Sequence, residues 1–299
     1  MFRHAGQTRL GVLTGDRVMD LNELADAAHE PGFPVDLVEF IAAGPETLRR
    51  ASQLLGHTEA STRVERRPLD GLRILPPLNP PAGNVLAIGR NYAEHARESA
   101  KASGSPLQPP TVFTKAQTSV IGPADDIPLD PAVSTQMDWE VELGVVIGLR
   151  ALNLRREAAA DYIFGYTVVN DISARDIQYG WGGQFFKGKS LDGSCPTGPW
   201  IVTADEVADP QNLELRLRLN GETKQADNTR NMIFPVVDLI AELSTGMTLP
   251  PGALIATGTP AGVGGAREPK EFLKDGDVVE TEVVGIGMLR NRVVEVHRA

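Results

Sequence analysis

Four prolines within six residues, Pro76, Pro77, Pro80 and Pro81, constrain this chain more than any other feature of it. Proline fixes φ and lacks an N–H, so the stretch belongs inside neither a helix nor a central strand. It reads as a boundary, and the sequence pattern changes across it. Residues 1–75 are expected to form a small N-terminal α/β domain, and residues 76–299 a larger catalytic one.

Ahead of the boundary, Thr8 to Leu21 alternates in polarity around Thr14-Gly15-Asp16, the signature of a hairpin. Two helices are expected next, one from Pro34 to Gly44 and one from Pro45 to Gly56, each opened by proline and closed by glycine. Beyond the boundary come short β-branched runs: Val85–Ile88, Val141–Ile147, Ile163–Val169, Leu213–Leu219, Val278–Val284 and Val293–Val296. One helix interrupts them, starting at Pro235 and ended by Gly246. With 30 Gly and 22 Pro pointing to many turns and loops, the composition argues against an all-helical bundle. Alternating strand–helix units are missing, which argues against a Rossmann fold and a TIM barrel. The expected class is mixed α/β, rich in β.

A formal net charge of −10 repels nucleic acid and anionic membrane surfaces, so neither is an expected partner. The opening MFRHAGQTRL lacks the apolar stretch of a secretory leader, and no run approaches the ~20 apolar residues of a membrane span. The expectation is a cytoplasmic protein. Cys195 is the only cysteine, which rules out an intrachain disulfide and leaves a nucleophile or a buried structural thiol.

The most informative stretch is Asp138-Trp-Glu-Val-Glu-Leu-Gly-Val-Val-Ile147. In a strand, positions i and i+2 share a face, so Glu140 and Glu142 project together. Two adjacent carboxylates repel unless a proton or a cation lies between them. Asp171 follows the apolar run Tyr162–Asn170 and is the natural third member. Three carboxylates without thiolate or imidazole favour a hard cation, Mg²⁺ or Mn²⁺, over Ca²⁺, which prefers more ligands. The competing reading is an edge strand with exposed glutamates.

Gly183-Gln-Phe-Phe-Lys-Gly-Lys-Ser190 matches the phosphate-loop pattern letter for letter, yet it lacks the strand before it and the helix after it, and the nucleotide reading is rejected. Lys187 or Lys189 could instead meet a substrate anion. Thr257–Gly265 could offer N–H groups to an anion or be a tight connection. His95 and Glu98 share a face if Tyr92–Ala100 is helical, which suits either a carboxylate-oriented base or a surface pair.

Taken together, Gly89-Arg-Asn-Tyr-Ala-Glu-His-Ala-Arg-Glu98, Phe113-Thr-Lys115, Asp138–Leu143, Gly165–Gln178, Lys187–Ser190, Ser194–Gly198 and Thr257–Pro260 resemble the fumarylacetoacetate hydrolase family, in family order over about residues 84–299. The resemblance implies a mixed β-roll catalytic domain, usually in a homodimer. It implies Mg²⁺ or Mn²⁺ held by Glu140, Glu142 and Asp171. It assigns Lys189, His95 and Glu98 to catalysis, with the last two as a dyad on a lid. It assigns Arg175, Gln178 and Thr259 to contacts with a 2-oxo acid. The expected activity is hydrolysis of a C–C bond in a 2,4-dioxo acid (acylpyruvate- or fumarylpyruvate-like), with water activated by the dyad. Decarboxylation, isomerisation or dehydration of a related 2-oxo acid on the same site is the alternative. A non-catalytic protein binding metal and oxo acid is the third.

Overall fold

The computed structural model describes residues 1–56, 62–94 and 110–296. The run Val141–Ile147 forms a strand in which every residue is buried. A strand can bury both faces only if a layer covers each, so this one lies central. Val141, Leu143, Val145 and Ile147 enter an apolar cluster with Leu217, Val279 and Leu289. Val146, on the opposite face, belongs to a second cluster with Leu10, Leu24, Phe40 and Leu54. Glu142 and Gly144 share the face of Val146 by the two-residue period of a strand.

The strand is fourth of seven in a mixed sheet. The order is Thr111–Lys115, Val85–Gly89, Leu254–Ala256, Val141–Ile147, Ile163–Asn170, Cys195–Thr203 and Val120–Ile121. Leu254–Ala256 runs parallel to Val85–Gly89, and Cys195–Thr203 runs parallel to Val120–Ile121; the other pairings are antiparallel. A second sheet runs Ile127–Leu129, Gly287–Glu295, Val278–Val283, Glu214–Leu219 and Glu222–Asn228. The expected helix spans Val236–Ser244 and buries Val236, Leu239, Ile240 and Leu243. The fold is mixed α/β and rich in β, as the runs imply.

The N-terminal residues differ in detail from expectation. Gly11–Thr14 and Arg17–Asp20 form the hairpin, and Gly15 at φ 64 supplies its turn. Thr8 instead belongs to Gln7–Arg9, which pairs back with Phe2–His4 across Ala5-Gly6, both at positive φ. A helix at Leu21–Ala27 was not expected; the Asp20 carboxylate caps it by accepting from the N–H of Asn22 and Glu23. The helix expected from Pro34 starts at Leu37, because Asp36 caps Glu39 N–H. The next helix covers Pro45–Gly56 as read. Arg67–Pro68 and Arg73–Ile74 each add a third strand to one of these two strand pairs. No helix among the described residues is long and apolar enough to cross a membrane.

Candidate functional site

Register places the acidic residues. Val141 pairs with Asn170, and Asp138 pairs with Ser173, so residues 139–140 lie opposite 171–172. Asp171 N–H donates to Glu140 O at 2.9 Å, and Glu140 N–H donates to Asn170 Oδ1 at 3.0 Å. Glu142 comes two residues on, on the same face. One oxygen from each of Glu140, Glu142 and Asp171 lies within 4.8 Å of the others, and all three residues are buried.

The loop Thr257–Gly265 meets anions, and the anions are the chain's own carboxylates. Gly258 N–H donates to Glu142 Oε2 at 2.7 Å. Gly258 sits at φ 102, and a Cβ there would stand 2.7 Å from Asn91 Cβ, so glycine is required. Farther along, Gly264 and Gly265 N–H donate to the two oxygens of Asp138 at 2.7 and 2.8 Å. Thr259 Oγ1 donates to Val141 O at 2.9 Å and accepts from Gln225 Nε2 at 2.8 Å.

Three buried cations answer these acids. Arg175 Nε donates to Asp138 Oδ2 at 2.7 Å, its Nη2 lies 2.7 Å from Glu140 Oε1, and its Nη1 donates to Gln178 Oε1 at 3.0 Å. Lys189 Nζ bridges Glu140 Oε2 at 2.8 Å and Asp171 Oδ2 at 2.7 Å. Lys115 Nζ lies 2.8 Å from Asp171 Oδ1. Four buried acids (Asp138, Glu140, Glu142 and Asp171) thus face three buried cations (Lys115, Arg175 and Lys189), one negative charge in excess.

The excess falls on Glu142. Burial, then the charges of Asp171 and Glu140, push its carboxyl well above the ordinary carboxylate range, against the opposing effects of Lys189 and the Gly258 N–H. Among the described residues, the site's ion pairs reach Glu140 and Asp171 and leave Glu142 with none. For Lys189, burial favours the neutral amine, but Asp171 and Glu140 outweigh it and raise its pKa. Arg175 is raised in the same way: burial opposes its charge, and Asp138 and Glu140 prevail.

These groups fit a divalent ion. The donors are hard oxygens, their charge is incompletely balanced, and an ammonium already bridges two of them. Beside them opens a cavity of about 440 Å³, lined by Glu140, Glu142, Arg175, Gln178, Lys189 and Thr259. Phe113, Tyr179, Phe185 and Phe272 form apolar walls, and Arg90 and Lys270 add positive charge.

The metal and substrate positions read from the sequence therefore converge on one place. His95 and Glu98 lie outside the described residues. In the rejected phosphate-loop match, Phe186–Lys189 is a single helical turn that leaves Lys187 exposed and turns Lys189 inward. Cys195 is fully buried in its strand, and burial pushes its thiol up to about 12, which fits the structural reading. Sequence reasoning gave no role to Lys115, Asp138, Asn91 or Gln225. Asn91 joins three segments, donating to Thr257 O at 2.7 Å and Phe234 O at 3.1 Å while accepting from Phe234 N–H at 2.8 Å.

A β-rich fold with a buried acidic triad beside a cavity that combines aromatic walls with a few convergent polar groups defines a candidate metal-dependent enzyme of small acids. The chain belongs to the fumarylacetoacetate hydrolase family: the family model described as fumarylacetoacetate (FAA) hydrolase C-terminal matches residues 84–294. It is 41% identical over 295 residues to the mitochondrial oxaloacetate tautomerase FAHD2A of Bos taurus, covering 97% of this chain and 89% of that one. The solved fumarylacetoacetate hydrolase of the psychrophile Exiguobacterium antarcticum is 38% identical with a TM-score of 0.83, covering 99% of this chain and 98% of that one. Maleylpyruvate hydrolase from Sphingobium sp. SYK-6, solved in complex with manganese(II) and pyruvate, is 29% identical with a TM-score of 0.78, covering 97% of each chain. Family members are enzymes, and they include tautomerases, isomerases and hydrolases.

Proposed function

We propose that this chain is a divalent-metal-dependent enzyme that interconverts the keto and enol forms of a small 2-oxo dicarboxylic acid, with oxaloacetate as the leading substrate. The observation that carries this reading is the junction of the triad with a cavity lined by Arg175, Gln178, Lys189 and Thr259. The likeness to an oxaloacetate tautomerase over 97% of the chain supports it. Bound by Glu140, Glu142 and Asp171, Mg²⁺ or Mn²⁺ supplies a Lewis acid for the 2-oxo acid.

The chain's own residues do the rest. Arg175 holds Gln178 by its side-chain oxygen, so the Gln178 amide is oriented to donate into the cavity. Thr259, fixed between Val141 O and Gln225, lines the same cavity. In the enol-to-keto direction Lys189, the buried ammonium of the cavity wall, delivers a proton to C3, and the amine so formed takes back the proton released by the enol O–H. The aromatic walls exclude bulk water from the acid's apolar edge. Lys270 and Arg90, at the cavity, attract the second carboxylate.

A second reading is hydrolysis of a 2,4-dioxo acid such as an acylpyruvate, with His95 and Glu98 activating water. The likeness to maleylpyruvate hydrolase favours it.

One experiment separates these readings. Purified protein is assayed with EDTA, Mg²⁺ or Mn²⁺ for loss of the enol absorbance of oxaloacetate, and in parallel for pyruvate release from acetylpyruvate. The tautomerase reading expects metal-dependent acceleration of the first and little of the second. Acetylpyruvate cleavage without accelerated tautomerisation would establish the hydrolase instead. Metal and oxo-acid binding with neither activity would make the chain a binding protein.

A further inference from the structure

Lys115 ends the strand Thr111–Lys115, and its side chain is completely buried. A buried ammonium persists only where surrounding acceptors recover the lost hydration. Four oxygens surround this Nζ. It lies 2.8 Å from Asp171 Oδ1, and it donates to Ile172 O at 3.1 Å, to Ser194 Oγ at 3.4 Å and to the main-chain oxygen of Lys189 in close contact. An ammonium has three N–H bonds and no lone pair. These partners occupy all of them, and Lys115 is not part of the cavity wall. It is placed to act on other residues, not on a ligand.

Two of its partners belong to the site. Asp171 faces an ammonium at each oxygen: Lys115 Nζ stands 2.8 Å from Oδ1 as an ion-pair contact, its N–H bonds being directed to Ile172, Lys189 and Ser194, and Lys189 donates to Oδ2 at 2.7 Å. The Lys189 carbonyl is also bound by Ser194 Oγ at 3.2 Å. One residue past Lys115, Ala116 N–H donates to Ser190 Oγ at 2.9 Å. The strand end is thus tied to the turn carrying Lys189 at adjacent points. Asp171 can be lost to the triad by rotating its carboxylate, and the charge of Lys115 at Oδ1 opposes that rotation at the oxygen that Lys189 does not hold.

We propose that Lys115 is a positioning residue that holds Asp171 Oδ1, so that Oδ2 faces the triad, and that anchors the backbone of Lys189 against the cavity. The inference rests on the metal-dependent reading above. Partners that orient a metal ligand typically contribute 10–100-fold in metal affinity.

The test uses the full chain as wild type, Lys115→Met, Asp171→Asn and the double variant. Mn²⁺ binding is measured by electron paramagnetic resonance, and folding by circular dichroism. Lys115→Met is expected to weaken Mn²⁺ binding about 10–100-fold. In the Asp171→Asn background, the same change is expected to cost less than about threefold, because the group it positions is already altered. The double variant removes the ion pair as a unit, so it keeps the comparison available even if Lys115→Met alone does not fold. Wild-type affinity in Lys115→Met, or a full 10-fold further loss in the Asp171→Asn background, overturns the inference while the metal reading stands. A wild-type protein that binds no Mn²⁺ overturns the metal reading itself.

Discussion

Replacing Lys189 by methionine should change metal binding and catalysis in opposite directions. The lysine is buried and bridges Glu140 and Asp171, so its removal leaves two carboxylates short of a partner. Removing one member of a buried ion pair costs about 3–5 kcal/mol. Unfolding entropy of about 2.1 cal/mol/K per residue, applied to 299 residues, gives roughly 0.6 kcal/mol/K. In EDTA the variant's Tm should therefore fall by about 5–8 °C. A divalent ion then supplies the charge that the ammonium took away, without having to compete with it. The variant should bind Mg²⁺ or Mn²⁺ about tenfold more tightly than wild type, or about 1.4 kcal/mol, and should recover most of the lost Tm. Turnover should still drop, by about 10²–10⁴-fold, since the group assigned to proton exchange is gone. Thermal melts with and without metal, calorimetric titration and the oxaloacetate assay read all three quantities. Unchanged stability in EDTA would refute the reasoning. So would weaker metal binding, since Lys189 would then support the ion and not substitute for it.

Further outcomes follow from the same geometry. Glu142 is held above the ordinary carboxylate range, so it carries a proton in metal-free protein at pH values where a free carboxylate has lost it. Stability of the metal-free fold should accordingly fall as pH rises from the ordinary carboxylate pKa towards the raised one, and metal binding should release a proton there. In that window affinity should increase about tenfold per pH unit, measurable by titration in buffers of different ionisation enthalpy; Glu142→Gln should abolish the slope. Gly258→Ala places a methyl group against Asn91 at positive φ and disturbs the N–H that holds Glu142, so it should cost about 1–3 kcal/mol in a denaturant melt and weaken metal binding as well. Lys270→Ala should raise KM for oxaloacetate more than tenfold, or about 1.4 kcal/mol, while leaving inhibition by the monocarboxylate pyruvate nearly unchanged. Equal effects on both ligands would place the second carboxylate elsewhere.

Much of the site was legible because its key residues obey short-range rules. Glu140 and Glu142 share a face by strand period, and the apolar run around them left little room for a solvated pair. The local pattern left Lys187 and Lys189 alike, and only the family resemblance singled out Lys189, because which one turns inward depends on a single helical turn docked against the strand end at Lys115. Asp138 heads the most informative stretch yet received no role, since its partners Gly264 and Gly265 lie more than a hundred residues away. The unexpected helix at Leu21–Ala27 is marked only by its cap, Asp20, directly at the end of a strand, where the hairpin pattern masks it.

The sequence by itself determined the β-rich class, the two faces of the strand Val141–Ile147 and the pairing of its glutamates, because backbone geometry alone sets a period of two. Asp171 was named as the third member from its place at the end of an apolar run; only the tertiary structure decided how near its oxygens come to the two glutamates, that two lysines meet its opposite oxygens, and that a distant glycine loop holds Glu142 and Asp138. Those are contacts between segments tens to hundreds of residues apart. They arise from sheet register and from burial that forces every charge to find a partner, and neither is a property of any local stretch of chain.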